Sequence, residues 1–440
     1  MELTKTSNLK EANPAKEKNI SVSVLLCIGM GILLTLRGIH DIFIYPAIIW
    51  GLAGVLFAKK EDSVILLFFT LPLGAIFKLS PDEFSFFTLM FLLFATRLII
   101  SKTKIRVSLI CLLFMFVAYA FLISGISQAV NIITMALGVF FVAYAIKEEI
   151  SFNRVVVAYS FGIAVSAVLG LLQNKLPIIQ EYVVVSILNS GATAESVSRF
   201  AGLKGNPNYF TMDVILALAG IAIMLLTKKA HIKFHFVLFS LLSVIGVMSI
   251  SKSFLLSWGV LLLLMIYSSL KMAPEKTAKV ILVIGSSLVI IGIFASDYIR
   301  AYLLRLSMDE GASLSEITTG RWDIWVSYIK AIWNDVKILL FGNGIGGSLV
   351  GGRGAHNTYL EVIYNLGILG GSIYAFLMSS LFKGIANRAQ RQIIQYAPLI
   401  VFLVRLLGIG IFTDDSMWFF LLFIALSLKT NTGNDETVIA

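Results

Sequence analysis

Charge is scarce in this chain. Asp, Glu, Lys and Arg together make up 14% of its 440 residues, 58% are apolar, and the mean hydropathy is +0.90. A soluble domain of that composition would expose large contiguous apolar patches, so the sequence reads as an integral membrane protein. Cysteine is nearly missing. Cys27 and Cys111 both lie inside apolar runs, where a thiol acts as a small hydrophobe, and no redox pair follows from them. No small-residue cleavage pattern follows the charged opening MELTKTSNLKEANPAKEKNI, so residues 1–20 are expected to form a disordered cytoplasmic tail rather than a signal peptide. A soluble domain, a low-complexity tract and a convincing internal repeat are also missing.

What is present is a succession of apolar runs. A helix needs roughly 20 apolar residues to cross a bilayer, because only intrahelical hydrogen bonds satisfy the backbone in hydrocarbon. Candidate runs occupy 21–36, 42–58, 63–78, 84–101, 107–124, 129–146, 155–173, 209–227, 234–250, 253–270, 280–296, 357–381, 393–412 and 416–428. The expected fold is all-α: one polytopic integral membrane bundle of about 12 to 14 transmembrane helices over residues 21–428, with a cytoplasmic tail at 429–440.

The net charge of +10 is dispersed over loops and forms no continuous basic face, which argues against a nucleic-acid partner. It reports topology instead. One alternating set of breaks holds Lys59, Lys60, Arg97, Lys102, Lys104, Arg106, Lys147, Arg154, Lys228, Lys229, Lys233, Lys271, Lys276, Lys279, Lys383, Arg388 and Arg391. The other holds little beyond Arg37, Lys78 and Lys252, with the acidic pairs Asp82-Glu83 and Asp414-Asp415. Cytoplasmic loops carry the excess of Lys and Arg, so both termini are expected in the cytoplasm.

Two long loops, 174–208 and 297–356, then fall on the outer side, and long loops with content of their own are usually functional. The second contains GRWDIWVSYIKAIWNDV, where Trp322, Trp325, Ile329 and Trp333 recur at helical spacing, predicting a helix in the membrane interface. The segment IIQEYVVVSIL at 178–188 predicts a second interfacial helix or a short re-entrant piece. The first loop ends in SRFAGLKGNPNYF, with Arg199 and Lys204 beside two glycines and an Asn-Pro-Asn turn. The second supplies Arg321, the glycine-rich FGNGIGGSLVGGRG, and His356 at the seam between polar loop and apolar run.

An arginine fork matches phosphate oxygens, and two of them would neutralise the charge that grows on a departing diphosphate. A histidine titrating near neutrality suits removal of a proton from an attacking hydroxyl. Together these residues describe group transfer from a lipid-diphosphate donor to an alcohol. Against that stand plainer roles: His356 as a neighbour of a helix cap, and Arg199 and Arg321 as headgroup anchors. Arg405, inside the run 393–412, is the one basic residue placed at depth and a candidate donor-site contact. Asp414-Asp415 is left as an outer-loop acidic pair. Trp322, next to Arg321, can anchor in the interface and stack on a sugar.

His356-Asn357, nine residues, Gly367, two residues and Gly370 resembles the His-Asn-x9-Gly-x-x-Gly signature of the O-antigen ligase and polymerase superfamily of membrane glycosyltransferases. RFAGLKGNPN around Arg199 and GRWDIW around Arg321 look like that family's two arginine motifs, and ISKSFLL at 250–256 is similar to its Ser-Arg segment. Lys252 stands there where arginine is common, and lysine cannot grip phosphate bidentately. The similarity covers about residues 195 to 375.

The resemblance implies a GT-C-like multi-pass protein of the bacterial cytoplasmic membrane with its site on the outer face. It implies an undecaprenyl-diphosphate-linked glycan as donor, inversion at the anomeric carbon, and no metal or other cofactor. His356 would activate the acceptor hydroxyl and Arg199 and Arg321 would hold the diphosphate, with Lys252, Lys204, Asn357, Arg405 and Trp322 as further substrate contacts. Expected partners are the glycan donor, a glycan or lipid acceptor, the bilayer and a chain-length regulator. Polymerisation of an O-antigen, capsule or exopolysaccharide is the leading expectation; ligation to lipid A core or another acceptor, and transport by a polysaccharide-lipid flippase, are the alternatives.

Overall fold

The computed structural model describes residues 21–101, 105–183, 199–227, 231–272, 274–306, 315, 318, 320–347, 349–386 and 392–430. The two expected tails (apart from residues 429 and 430), much of the first long loop, and Lys102, Lys104, Lys228, Lys229, Arg388 and Arg391 lie outside them.

The described residues are helical, without a β-strand and with one isolated bridge between Val350 and Arg353. The first half of the chain contributes α1 (Val22–Arg37), α2 (Ile44–Phe57), α3 (Lys60–Thr70), α4 (Phe86–Ile100), α5 (Val107–Ser124), α6 (Ala129–Ala145), α7 (Phe152–Leu171) and α8 (Pro177–Val183). The second contributes α9 (Pro207–Thr227), α10 (Ile232–Met248), α11 (Lys252–Leu270), α12 (Pro274–Phe294), α13 (Ser296–Leu306), α14 (Arg321–Asn334), α15 (Val336–Phe341), α16 (Thr358–Ala386), α17 (Ala397–Leu406) and α18 (Ser416–Lys429). Among the described residues, seven helical segments are long and apolar enough to cross a membrane, and six shorter ones are apolar.

Burial sorts them. An 18-residue window of α9 is 89% buried, against 22% for the windows of α5 and α12. A helix apolar on all sides can be satisfied at the centre, and α9 accordingly packs against α7, α10, α11 and α17. The outer helices turn Phe114, Leu122, Leu282 and Phe294 outward, as expected for side chains that meet lipid.

One end of the bundle gathers much of the cationic set. Lys60 pairs with Glu148 at 2.6 Å, Arg154 pairs with Glu61 at 3.0 Å and Asp62 at 3.3 Å, and Lys429 donates to the Ile146 and Glu148 carbonyls. Arg97 donates to the Val55 and Ala58 carbonyls, closing the end of α2. The other end collects the starts of α9, α11, α16 and α18 and the ends of α10 and α17, and it carries the candidate site.

Three expectations about the runs need correction. The run 393–412 is not one spanning helix: a 3-10 turn at Ile393–Tyr396 leads into the ten residues of α17, and the chain is irregular from 408 to 415. The run 63–78 likewise passes from α3 into a 3-10 helix at Leu71–Ile76. The run 357–381 is interrupted within α16 at Gly367, whose φ of 62° and ψ of −174° only glycine adopts readily.

That interruption frees carbonyls where water is scarce, and each finds a donor. The Asn343 amide donates to Tyr364 O at 2.8 Å and the Gly344 amide to Asn365 O at 3.0 Å. The Tyr119 hydroxyl of α5 lies 2.9 Å from Leu366 O and 2.8 Å from Phe341 O. The two backbones approach so closely that a Cβ on Gly367 would stand 2.5 Å from Gly342 N and from Leu340 C. Gly370 is equally constrained, since a Cβ there would meet the Tyr119 ring at 2.2 Å. Both glycines of the motif therefore have a packing reason.

Candidate functional site

His356 sits on a loop that α14 holds from one side. Trp325 Nε1 donates to Ala355 O at 3.1 Å and Tyr328 OH to Arg353 O at 2.8 Å. Tyr328 also meets the Tyr364 ring edge-on at 4.9 Å, and with Ile332 and Ala355 these rings form a small apolar cluster of their own. The sequence expected Trp325 to share the interfacial stripe. Instead Trp322, Ile329 and Trp333 are exposed, while Trp325 turns toward the loop beside His356. The helix α14 thus has two faces, one exposed and one that holds the loop beside His356.

Asn357 is the N-cap of α16. Its Oδ1 accepts from the amides of Tyr359 at 3.0 Å and Leu360 at 3.3 Å, the bond that ends a helix favourably. This commits the amide oxygen that the resemblance assigned to substrate. His356, one residue earlier, has φ +48°, and Ile250, in the turn between α10 and α11, has the same value. A positive φ is uncommon for any residue with a Cβ and an outlier for a β-branched one. Among the described residues, three non-glycine positions show it, and two of them flank this site. Such strain concentrates where function over-determines the backbone.

The cationic side chains meet around Gly408. A Cβ there would stand 3.1 Å from Arg321 Nη1 and 3.2 Å from Ser253 Oγ. Ser253 Oγ in turn accepts from Arg405 Nη1, so Gly408 is bordered by the Arg321 guanidinium on one side and by the hydroxyl that Arg405 holds on the other. Arg405 is fully buried and also donates to Asn208 O and, at 3.0 Å, to Thr211 Oγ1. Because α17 stops at Leu406, Arg405 lies in its last turn at the site end of the bundle. The mid-helix position inferred from an unbroken run is thereby corrected.

Arg199 donates from Nε to Ser249 O at 3.2 Å, and Phe200 N bonds Met248 O at 3.1 Å. The end of the first long loop is thus sewn to the 249–253 turn. Ser251 of that turn donates to Asn208 Oδ1 at 2.8 Å, and Lys252 opens α11 beside it. Arg199 and Lys252 therefore share the Ser249–Ser253 turn with the Arg321–Arg405 cluster, and Arg321 lies close enough to His356 for its charge to act on the imidazole.

The irregular segment after α17 closes the site from below. Thr358 Oγ1 donates to Ile409 O at 2.7 Å, Tyr209 OH to Gly410 O, and the Glu361 carboxylate accepts from the Phe412 amide. Glu361 lies so close to Gly410 that a Cβ there would stand 1.9 Å from its Oε1.

Lys204 has a different surrounding from the one expected. Its ammonium lies 3.4 Å from the Asp213 carboxylate, which is fully buried in α9 and accepts a 2.7 Å hydrogen bond from Tyr159. Lys204 thus anchors its loop to the bundle. An acid also lies at depth: Asp213 is about 9 Å along α9 from Pro207. Asp414 and Asp415 have local partners, Ser416 N at 2.8 Å and Thr88 Oγ1 at 2.6 Å.

Sequence reasoning missed Ser253, Glu361, Asp213, Trp325 and Tyr328. An acid within an apolar run is a signal in itself, and Asp213 and Glu361 both gave it. Ser253 adjoins Lys252 in a segment already singled out. The inward turn of Trp325 left no trace in the spacing.

Burial lowers the His356 pKa from its ordinary value, and the positive charge of Arg321 pushes it the same way. The imidazole is therefore held as the neutral form that accepts protons. No protein-family model, curated protein or solved structure matches this chain.

Proposed function

We propose that the chain is an inverting membrane glycosyltransferase that takes its glycan from an undecaprenyl diphosphate, with His356 as base and Arg199 and Arg321 on the diphosphate. The observation carrying this reading is one juxtaposition. A neutral-biased imidazole on strained backbone lies within the field of Arg321, and that guanidinium borders Gly408, as does the Ser253 hydroxyl that Arg405 holds.

In the proposed step an acceptor hydroxyl oxygen attacks the anomeric carbon from the face opposite the diphosphate. The new C–O bond forms as the bond to the diphosphate oxygen breaks. The hydroxyl proton passes to His356, and the electron pair of the broken bond leaves on the lipid diphosphate. Guanidinium groups stabilise that growing charge, so the reading needs no metal. Arg405 would act by fixing Ser253 and Asn208 rather than by direct contact, given its complete burial.

Polymerisation remains the leading form of this reading and ligation the near alternative, since they differ in acceptor alone. A flippase is the alternative of another class. The helix break at Gly367 favours retaining it, because transporters build sites on interrupted helices. The separating experiment uses purified protein in liposomes supplied with an undecaprenyl-diphosphate oligosaccharide. Release of undecaprenyl diphosphate with lengthened glycan supports polymerase; donor translocation by wild type with no diphosphate released overturns the enzyme reading.

Two results follow from the electrostatics. Because both influences on His356 favour its neutral form, kcat/KM is expected to rise with pH through a limb below about 6.5. A bound diphosphate is anionic and favours imidazolium, so the limb in kcat should lie at higher pH than the limb in kcat/KM. A profile flat from about pH 5 to 8, with chemistry rate-limiting, would remove His356 as base. Arg321→Lys keeps the charge and loses the fork; turnover is expected to fall about ten- to a hundredfold, less than for loss of a whole oxyanion donor. Unchanged turnover in that variant would count against diphosphate binding at this position.

A further inference from the structure

At the end of the bundle away from His356, helices α5, α6, α16 and α18 leave a cavity of about 220 Å³ between them. Its floor is apolar, with Leu109, Ile146, Leu381 and Ile385 among the lining residues. Arg106, Lys147 and Lys429 also line it, and among the described residues no acidic one does. Lys429 is fixed by its bonds to the Ile146 and Glu148 carbonyls, whereas Arg106 and Lys147 are exposed. Glu148, the residue after Lys147, is already compensated by Lys60 at 2.6 Å.

An apolar floor with three cations is an amphipathic site, and it excludes a purely apolar or a purely ionic occupant. One residue beyond Arg106, α5 begins an outward stripe of Val107, Ile110 and Phe114, each exposed. That stripe offers a bed for an acyl chain whose polar end reaches the cations.

We propose that this cavity binds one anionic phospholipid, its phosphate among Arg106, Lys147 and Lys429 and its acyl chains along α5. Basic pockets between membrane helices take such headgroups, and the orientation expected from the Lys and Arg bias faces the site to the leaflet where anionic lipids concentrate. The phosphate gains charge-assisted hydrogen bonds and the chains lose none of their hydrocarbon surroundings. Bound there, the lipid joins α5 to α16, the two helices that Tyr119 and the Gly367 break connect at higher level. This site is independent of the glycosyltransferase reading and stands or falls separately.

The test is native mass spectrometry of the full chain, purified in detergent and offered phosphatidylglycerol and phosphatidylcholine with identical acyl chains. Wild type is expected to retain phosphatidylglycerol preferentially. The double variant Arg106→Gln/Lys147→Gln should reduce that enrichment about thirtyfold, the ratio equivalent to about 1 kcal/mol for each charge removed. Ser380→Phe fills the cavity without removing charge and should lower phosphatidylglycerol retention as well. Lys429 is left in place because it closes α6. Equal retention of the two lipids by wild type, or enrichment untouched in both variants, overturns the proposal. Displacement of the lipid by inorganic phosphate alone also overturns it, because the site would then select a soluble anion.

Discussion

His356→Ala is expected to stop undecaprenyl diphosphate release while the protein stays folded and still binds its donor. The seam loop does not depend on the imidazole: Trp325 and Tyr328 hold it through the Ala355 and Arg353 carbonyls, and Asn357 caps α16 independently. The imidazole stands on the seam loop beside the small Tyr328–Tyr364 cluster and not within the apolar core, so its removal leaves no core cavity. Loss of a general base costs about 10² to 10⁴ in rate. Donor affinity, measured with a non-reacting lipid diphosphate, should stay within a few-fold of wild type because the guanidinium groups remain. Full turnover in the alanine variant would mean that another group accepts the proton.

Gly367→Ala is the second large effect, and it is structural. The added Cβ would stand 2.5 Å from Gly342 N and from the carbonyl of Leu340, which are main-chain atoms that cannot rotate aside. The backbone angles at Gly367 add their own penalty of about 1 to 3 kcal/mol for any residue with a Cβ. Separation of the two segments would also strand the Tyr364 and Asn365 carbonyls from their donors. A total of several kcal/mol is expected, visible as loss of the monodisperse species on gel filtration and a lowered unfolding temperature. Gly371→Ala is the matched control. A Cβ there meets nothing closer than Val362 Cγ1 at 3.9 Å, so it should behave as wild type. Equal behaviour of the two variants would refute the backbone crossing.

Much of this arrangement was legible in the chain. The alternation of cationic and acidic breaks anticipated the two ends of the bundle, and GRWDIW announced the start of α14. The motifs led to the expectation that Arg199, Arg321 and His356 gather around one diphosphate; the structure puts Arg321 within electrostatic reach of His356 and Arg199 on the Ser249 carbonyl. The break in α16 was not legible, because a glycine in an apolar run is compatible with an intact helix. What decides its conformation is Tyr119, more than two hundred residues away, together with Asn343 and Gly344. The shortening of α17 was hidden for the same reason: hydropathy measures the solvent a segment tolerates, and irregular backbone is tolerated once Thr358 and Tyr209 satisfy it. Asn357 was legible as part of a motif, but its role as a cap needed the direction of the chain.

The Asp213 carboxylate bears on how the chain is made. Both of its partners, the Tyr159 hydroxyl and the Lys204 ammonium, precede it in the sequence. During synthesis they leave the ribosome first, so α9 delivers its acid to partners already waiting at the translocon. A version of α9 inserted by itself would carry that acid into lipid unaccompanied, at a cost of up to about 3 kcal/mol. The order of the helices along the message thus doubles as an assembly sequence.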